Sequence, residues 1–204
     1  KGKRCIVNVS TGTFRSGQER LVKSLREHGY NDDLMIWGDD LPHGCPPHND
    51  VPYAFKTYAL NEARAAGYDV LLWLDASIFA VNDVEPVMRH IEEVGYMFEV
   101  AGQWLGWYST DAFLAKHNLT RDEAMTIPTF TAGFTGLDLR HPQAVEFLDR
   151  WHAMAQDGVS FLGHWNNDGY DCSRDPRCKG HRHDMSAASL LAHRMGMELL
   201  PCPT

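Results

Sequence analysis

The residues best placed for chemistry stand at the end of an apolar run. Val70–Leu74 is followed by Asp75, Ala76 and Ser77. The run has the length and composition of a buried parallel strand. Because open α/β sheets bind ligands at the carboxyl ends of their strands, we expect Asp75 to lie at the mouth of a site. Asp75 and Ser77 could hold a divalent cation, although a hydroxyl is a weaker ligand than a carboxylate. The alternative is that Asp75 only caps the following turn.

A second group of reactive side chains lies near the carboxyl end of the sequence. His181, His183 and Asp184 fall within four residues, just before an apolar helical pattern. Histidine titrates near neutral pH and can move protons or bind metals. The structural alternative is that Asp184 is the N-cap of a helix from 185 to 195. The nearby Cys172 and Cys178 leave a zinc site or a disulfide as further alternatives.

Small residues and one lysine complete the candidates in the first half. Ser10, Thr11 and Gly12 follow a β-branched run at 5–9 and would let backbone approach a ligand. Lys56 lies in the first turn of a predicted helix, where its charge opposes the helix dipole. Its functional interpretation is a cation that faces a diphosphate, and the alternative is a solvated lysine.

The elements that must position these residues alternate along the chain. Strands are predicted at 5–9, 34–37, within 68–77, and at 96–100 and 131–139, with further short strands at 78–81 and 197–200. Capping boxes are predicted at Ser16–Glu19 and Thr120–Glu123, and a long helix after Pro142. This order predicts one α/β domain over residues 1–204, with a mixed, mainly parallel sheet flanked by helices.

The second half contains aromatic residues in irregular segments. Trp104 lies in a glycine-rich stretch, and Trp165 and Asn166 lie in a polar loop at about 163–183. Aromatic rings in such segments stack on sugar or base faces, or belong to the core. A loop of this length in a compact domain is typically functional or disordered. Gly133 lacks a side chain on one face of its predicted strand.

The composition narrows the class of partner. The 204 residues are 44% hydrophobic and carry a formal net charge of −8, which disfavours nucleic acid and anionic membranes as partners. No apolar run approaches the roughly 20 residues that span a bilayer, and the first residues contain no signal-peptide pattern. Five cysteines at irregular spacing predict a reducing, cytoplasmic location. No P-loop, Gly-x-Ser-x-Gly or His-Glu-x-x-His motif is present.

Three segments together resemble the GT-A fold of nucleotide-sugar-dependent glycosyltransferases. The segment 53–56, followed by 68–77, is similar to the helix and the strand that bear the Asp-x-Asp motif, which here has the form Asp75-Ala76-Ser77. The segment 131–136 is similar to the strand that lines the acceptor side. The segment 181–186 is similar to the His-x-His-Asp-Gln-Ser sequence that opens the last helix in such proteins.

The resemblance implies a GT-A-like (Rossmann-like) fold, with the nucleotide sugar (UDP- or GDP-type) bound by residues 1–100 and a hydroxyl acceptor by residues 101–204. It implies catalytic roles for Asp184 and His183, a lid at 163–183, and Mn²⁺ or Mg²⁺ as cofactor. Either His181 or His183 completes the metal ligands, or Lys56 and cations of the loop replace the metal. The implied donor-binding residues are Ser10, Thr11, Gly12, Lys56, Asp75, Ala76 and Ser77. The implied acceptor-binding residues are Trp104, Gly133, Trp165 and Asn166, and the implied metal ligands are Asp75, Ser77 and His181.

Two other functions stay open at this point. A nucleotidyltransferase shares a related α/β plan, but it normally has a glycine-rich phosphate loop after the first strand, and Gly12-Thr13-Phe14-Arg15 is a poor version of it. A catalytically degenerate sugar- or nucleotide-binding module would explain Ser77 in place of a second acid. The acceptor class, a hydroxylated nucleic-acid base included, and the oligomeric state are undetermined.

Overall fold

A computed structural model of the chain describes residues 2–201, so that Lys1 and residues 202–204 lie outside it. Five strands form one sheet in the order β2-β1-β3-β5-β4. The strands are β1 (Arg4–Val9), β2 (Asp33–Trp37), β3 (Val70–Leu74), β4 (Tyr96–Trp104) and β5 (Pro128–Asp138). The helices are α1 (Arg15–Glu27), α2 (Phe55–Ala65), α3 (Glu85–Val94), α4 (Asp111–Lys116), α5 (Arg121–Ala124), α6 (Pro142–Gln156) and α7 (His183–Arg194).

The sheet has the mixed, mainly parallel character that the sequence predicts. Strand β1 is parallel to both β2 and β3, whereas β5 is antiparallel to β3. All five residues of β3 are buried, which agrees with its continuous apolar sequence and its central position. The carboxyl ends of β1, β2 and β3 therefore lie at one edge of the sheet. This is the edge at which α/β sheets bind ligands.

The described residues divide into two compact units, both discontinuous in sequence. The first consists of the residues up to Cys45 together with Phe55–Met97 and Gly133–Leu148. The second consists of Pro46–Ala54, Phe98–Ala132 and the residues from Asp149 onwards. In sequence, one boundary between the units falls within β4 and another within β5. The first unit has its own apolar core, formed by Ile6, Leu21, Leu25, Tyr30, Val70, Leu72, Leu74, Met88 and Ile91.

Three local predictions are wrong, each for a physical reason. Residues 78–81 form no strand, because the chain turns directly after β3 and the amide of Ile78 donates to the carbonyl of Asp75. The predicted last strand at 197–200 is reduced to a single bridge between Leu200 and Glu99. Ser16 does not cap α1, because the helix already begins at Arg15. The capping box of Thr120 and Glu123, by contrast, is confirmed.

No helix within residues 2–201 is both long enough and apolar enough to cross a membrane.

Candidate functional site

Asp75 follows β3 directly and is held by two donors on one oxygen. The indole Nε1 of Trp73 donates to its Oδ1 at 2.7 Å, and the ammonium of Lys56 lies 3.1 Å from the same atom. The Lys56 side chain is 3% exposed and the Asp75 side chain is 35% exposed. The lysine that the sequence predicts to face a diphosphate therefore faces the carboxylate of Asp75. Two donors at fixed positions give this carboxylate one orientation.

Strand β5 contacts Asp75 through Gly133. The backbone amide of Asp75 donates to the carbonyl of Gly133 at 2.8 Å. A Cβ atom at Gly133 would lie only 2.8 Å from Oδ2 of Asp75, closer than any real Cβ contact. Gly133, which the sequence assigns to the acceptor, thus lies against the predicted donor residue. Position 133 requires glycine, because the Asp75 carboxylate lies where a side chain would begin.

Buried amides fix the ends of the three parallel strands. The Nδ2 of Asn8 donates to the carbonyl of Leu74 at 2.7 Å, and the Nε2 of Gln18 donates both to Oδ1 of Asn8 and to the carbonyl of Trp37, at 2.8 Å each. Asn8 and Gln18 are buried. Each of the strands β1, β2 and β3 contributes one residue to this network, so their carboxyl ends are held together. Sequence reasoning missed both amides, since their partners are distant along the chain.

The small-residue turn lies at the same edge. The amide of Ser10 donates to the carbonyl of Trp37 at 3.0 Å, and the amide of Gly12 donates to Oδ1 of Asp39 at 2.8 Å. Gly12 has a φ of +55°, which favours glycine. Ser10 is buried and its hydroxyl has no hydrogen-bond partner among the described residues, whereas Thr11 is only partly buried. A ligand at this turn would therefore meet backbone groups and the exposed carboxylate of Asp39. Sequence reasoning also missed Asp39.

Helix α1 brings two arginines to this edge. A Cβ at Gly38 would lie 3.3 Å from Nη2 of Arg15, so this guanidinium rests beside the end of β2. The Nη2 of Arg20 donates to the carbonyl of Ser77 at 3.0 Å. Neither arginine forms an ion pair within residues 2–201, and Ser77 is exposed. Ala76 is buried against α1, because a Cβ at Gly17 would lie 2.3 Å from the Ala76 carbonyl oxygen. Both cations could neutralise an anion bound at the strand ends.

In the second unit, His183 is a buried neutral base. Its Nδ1 lies 2.9 Å from the carbonyl of Phe161, and because a carbonyl only accepts, Nδ1 carries the proton. Burial lowers the pKa of His183 to about 4. The ring is therefore neutral at pH 7 and its Nε2 has a lone pair, which accepts no hydrogen bond within residues 2–201. A neutral imidazole of this kind can take a proton.

An aromatic cluster surrounds His183. The ring of Tyr53 lies 5.5 Å from the His183 ring, and that of Trp165 lies 6.1 Å from it. Tyr53 and His183 have backbone φ angles of +62° and +46°, which residues other than glycine rarely adopt. Strained backbone persists only where its surroundings enforce it, and it concentrates at functional sites. Trp165 is 51% exposed, so one side of the cluster is open to a ligand.

Asp184 and His181 are buried beside this cluster. Asp184 is in the first turn of α7, which begins at His183, so the prediction that Asp184 is the N-cap is wrong. His181 is fully buried, and its Nε2 donates to the carbonyl of Ser160 at 3.0 Å. Burial lowers the pKa of His181 to about 3. Both side chains are fixed in the interior of the second unit.

The loop at 163–183 is ordered by its own contacts. The amide group of Asn167 donates to the carbonyls of Ser173 and Cys178, while its oxygen accepts from the backbone of Cys172 and Ser173. Cys172 and Cys178 are buried free thiols, so the disulfide alternative is wrong. The predicted acceptor residue Asn166 is exposed next to Trp165, and Trp104 is 40% exposed at the end of β4.

Three of the basic residues of this loop are engaged within the second unit. Arg177 forms ion pairs with Asp122 at 2.6 Å and with Asp175 at 2.7 Å. The ammonium of Lys179 lies 3.8 Å from the centre of the Trp107 ring. The guanidinium of Arg182 lies over the rings of Tyr108 and Trp165. These contacts hold the loop in place.

The described residues do not form a metal centre. Within residues 2–201, no cluster of three or more His, Cys, Asp or Glu side chains is arranged to hold a metal ion. The zinc alternative at Cys172, Cys178, His181 and His183 is therefore not realised. Asp75 already has Lys56 as its cation, and Ser77 offers only an exposed neutral hydroxyl. The residues at the end of β3 thus fit a divalent cation poorly.

Comparison with known proteins supports the fold. No family model and no curated protein matches the sequence. The apo structure of the bifunctional glycosyltransferase WbbM is similar with a TM-score of 0.53 and 9% identity, over 96% of this chain and 37% of that one. Mouse xyloside xylosyltransferase 1 in its apo form is similar with a TM-score of 0.51 and 12% identity, over 97% and 85% of the two chains.

A third structure is core-mannan synthase A from Aspergillus fumigatus in a Mn/GDP form. Its TM-score is 0.46 at 11% identity, over 94% of this chain and 70% of that one. At these identities the likeness concerns the fold alone. The predicted GT-A-like, mixed α/β fold is confirmed.

Proposed function

We propose that this chain is a glycosyltransferase that moves a sugar from a nucleotide sugar to an acceptor hydroxyl. The observation that carries the proposal is Asp75, fixed by Lys56 and Trp73 at the carboxyl end of the central strand. A GT-A-like fold places ligand-binding residues at this edge of its sheet. A carboxylate held in one orientation recognises hydroxyl groups, which sugars and ribose both offer.

The first unit is proposed to bind the donor. Asp39 and Asp75 are carboxylates that can accept hydrogen bonds from ribose or sugar hydroxyls, and the turn at 10–12 lets a ligand approach backbone. Arg15 and Arg20 would neutralise the diphosphate. Glycosyl transfer requires such positive charge, because the departing nucleoside diphosphate gains negative charge as its bond to the sugar breaks.

The second unit is proposed to bind and activate the acceptor. The acceptor hydroxyl loses its proton to Nε2 of His183 or to the carboxylate of Asp184, and its oxygen forms a bond to the anomeric carbon. The bond from that carbon to the diphosphate breaks, and its electron pair leaves with the nucleoside diphosphate. In a retaining enzyme Asp184 would instead stabilise a positively charged sugar. Tyr53, Trp104, Trp165 and Asn166 are the proposed acceptor contacts.

The test is release of nucleoside diphosphate from a panel of nucleotide sugars, with and without candidate acceptors. We expect release from one donor, and a loss of at least about 100-fold in Asp75→Asn, because a misplaced donor reacts slowly. The matched control is Glu93→Gln, an exposed acid of the same unit that should behave as wild type. No release from any donor, with or without acceptor, would contradict the proposal.

A binding module without catalysis is the second candidate, and Ser77 in place of an acid is the observation that favours it. Such a module would bind one nucleotide sugar with the same dependence on Asp75. It would differ by releasing no nucleoside diphosphate from the bound donor, with or without an acceptor. Calorimetric binding beside the release assay separates the two functions.

A further inference from the structure

We propose that Asp75 binds a hydroxyl of the donor directly and that donor binding requires no divalent metal. This inference rests on the proposed function, and it specifies how the strand-end site recognises its ligand. In this interpretation Lys56 permanently occupies the position on Asp75 at which a cation would bind. The arginines of α1 supply the positive charge for the diphosphate.

The first observation is that Oδ1 of Asp75 already has two partners. This oxygen accepts from Nε1 of Trp73 at 2.7 Å and lies 3.1 Å from the ammonium of Lys56. Lys56 is 2% exposed, so its ammonium is not a mobile surface charge that a metal ion could displace into water. A cation bound at Oδ1 would have to approach a fixed positive charge. Electrostatic repulsion is strong at such a buried position.

The second observation is the surroundings of Oδ2. No described residue donates to this oxygen, and Gly133 leaves space beside it that a Cβ would fill. Asp75 is about one third exposed, so a ligand can reach the carboxylate. One free oxygen beside backbone suits a single hydroxyl donor. A hard dication prefers several anionic oxygens, and the two residues that follow Asp75, Ala76 and Ser77, add no second carboxylate.

The third observation concerns Ser77 and the neighbouring cations. The residue two positions after Asp75 has an exposed neutral hydroxyl, and its carbonyl accepts from Arg20 at 3.0 Å. Arg20 and Arg15 form no ion pair within residues 2–201, so both guanidinium groups keep their charge for a ligand. A guanidinium can bind two phosphate oxygens at once. The charge that a metal would bring is therefore already part of the chain.

Two titrations test the inference. In the first, affinities for UDP and GDP are measured by calorimetry in Mn²⁺, in Mg²⁺ and in EDTA. In the second, binding of Mn²⁺ alone is followed by the loss of its free electron paramagnetic resonance signal. We expect the affinity for the preferred nucleotide to change by less than about twofold with metal, and Mn²⁺ alone not to bind at the strand end. An increase of about tenfold or more with Mn²⁺ would overturn the inference.

Variants of Arg20, Ser77 and Lys56 test the inference by a second route. Arg20→Gln should weaken nucleotide binding by about tenfold in EDTA, because a diphosphate loses one of its cations. Ser77→Asp, at an exposed position, together with Lys56→Met should create Mn²⁺ binding that wild type lacks. If Ser77→Asp with Lys56→Met does not fold, Ser77→Asp alone should still show no Mn²⁺ binding, because Lys56 remains on Asp75.

The outcomes separate this inference from the proposed function. If neither nucleotide nor any sugar donor binds with or without metal, the proposed function fails. The titration with Mn²⁺ alone still decides the role of Asp75 in that case. Wild-type binding of Mn²⁺ that disappears in Asp75→Asn would overturn the inference while leaving glycosyl transfer intact.

Discussion

The ammonium of Lys56 lies 3.1 Å from Oδ1 of Asp75, although the two residues belong to a helix and to the end of a strand. One partner is buried and the other is partly exposed. This asymmetry predicts different costs for removing each side chain. It also makes the pair measurable by mutation.

Asp75→Asn should destabilise the protein by about 2–3 kcal/mol, because a buried ammonium loses its carboxylate. Lys56→Met should cost only about 1 kcal/mol, since water can reach the remaining carboxylate. The double variant should be more stable than the sum predicts by about 1–2 kcal/mol. Urea unfolding of the four proteins measures this coupling, and strictly additive costs would contradict the ion pair.

Gly133→Ala should displace Asp75, because the new Cβ would lie 2.8 Å from its Oδ2. We expect donor affinity to fall by about tenfold, with a stability cost of about 1–3 kcal/mol. Gly136→Ala is the matched control on the same strand, where the Cβ would meet Ile91 at 2.5 Å. It should lower stability without changing the affinity of the folded protein. Equal affinities for the two variants would show that Asp75 does not depend on Gly133.

Acid should destabilise the second unit through its buried histidines. Burial lowers the pKa of His183 from 6.5 to about 4, and that of His181 to about 3. The unfolded chain therefore binds protons first as the pH falls below 6.5. This contribution to stability is complete above pH 6.5 and is lost progressively towards pH 4 for His183, by about 3 kcal/mol in total.

The experiment is urea unfolding at a series of pH values for wild type and His183→Gln. The variant should show a shallower loss of stability between pH 6.5 and 4 than wild type. Its absolute stability at pH 7 will be lower, because the hydrogen bond to Phe161 is changed, and so only the slope is compared. Identical slopes would mean that His183 titrates normally in the folded protein.

Arg182 should hold the loop at 163–183 through two rings. Its guanidinium lies 4.1 Å from the centre of the Tyr108 ring and 3.9 Å from that of Trp165. A lysine keeps the charge but cannot stack as a plane between two rings, so Arg182→Lys should weaken the loop by about 1–2 kcal/mol.

Hydrogen exchange over residues 163–183 measures this effect, with about tenfold faster exchange expected in Arg182→Lys. Arg174→Lys is the control, because Arg174 is exposed on the same loop and makes no hydrogen bond or ion pair within residues 2–201. Equal exchange in both variants would contradict the stacking interaction.

The sequence by itself determined the main elements and the types of residue that follow them. The apolar run at 70–74 and the acid after it predict a buried strand with a functional end, because burial and chain direction are local consequences of residue type. Cap and turn residues such as Thr120 and Gly12 follow from local hydrogen bonding in the same way. A resemblance over short motifs was enough to predict the fold.

Only the tertiary structure decided the partners of those residues. That Asp75 meets Lys56, that Gln18 joins the ends of β1 and β2, and that Arg20 reaches Ser77 depend on packing between elements distant in sequence. The positive φ of His183 likewise arises from its surroundings and has no signal in the sequence. Residue spacing determines on which face of a helix or strand a side chain lies. Strand register and helix packing then determine which atom of another element that side chain contacts.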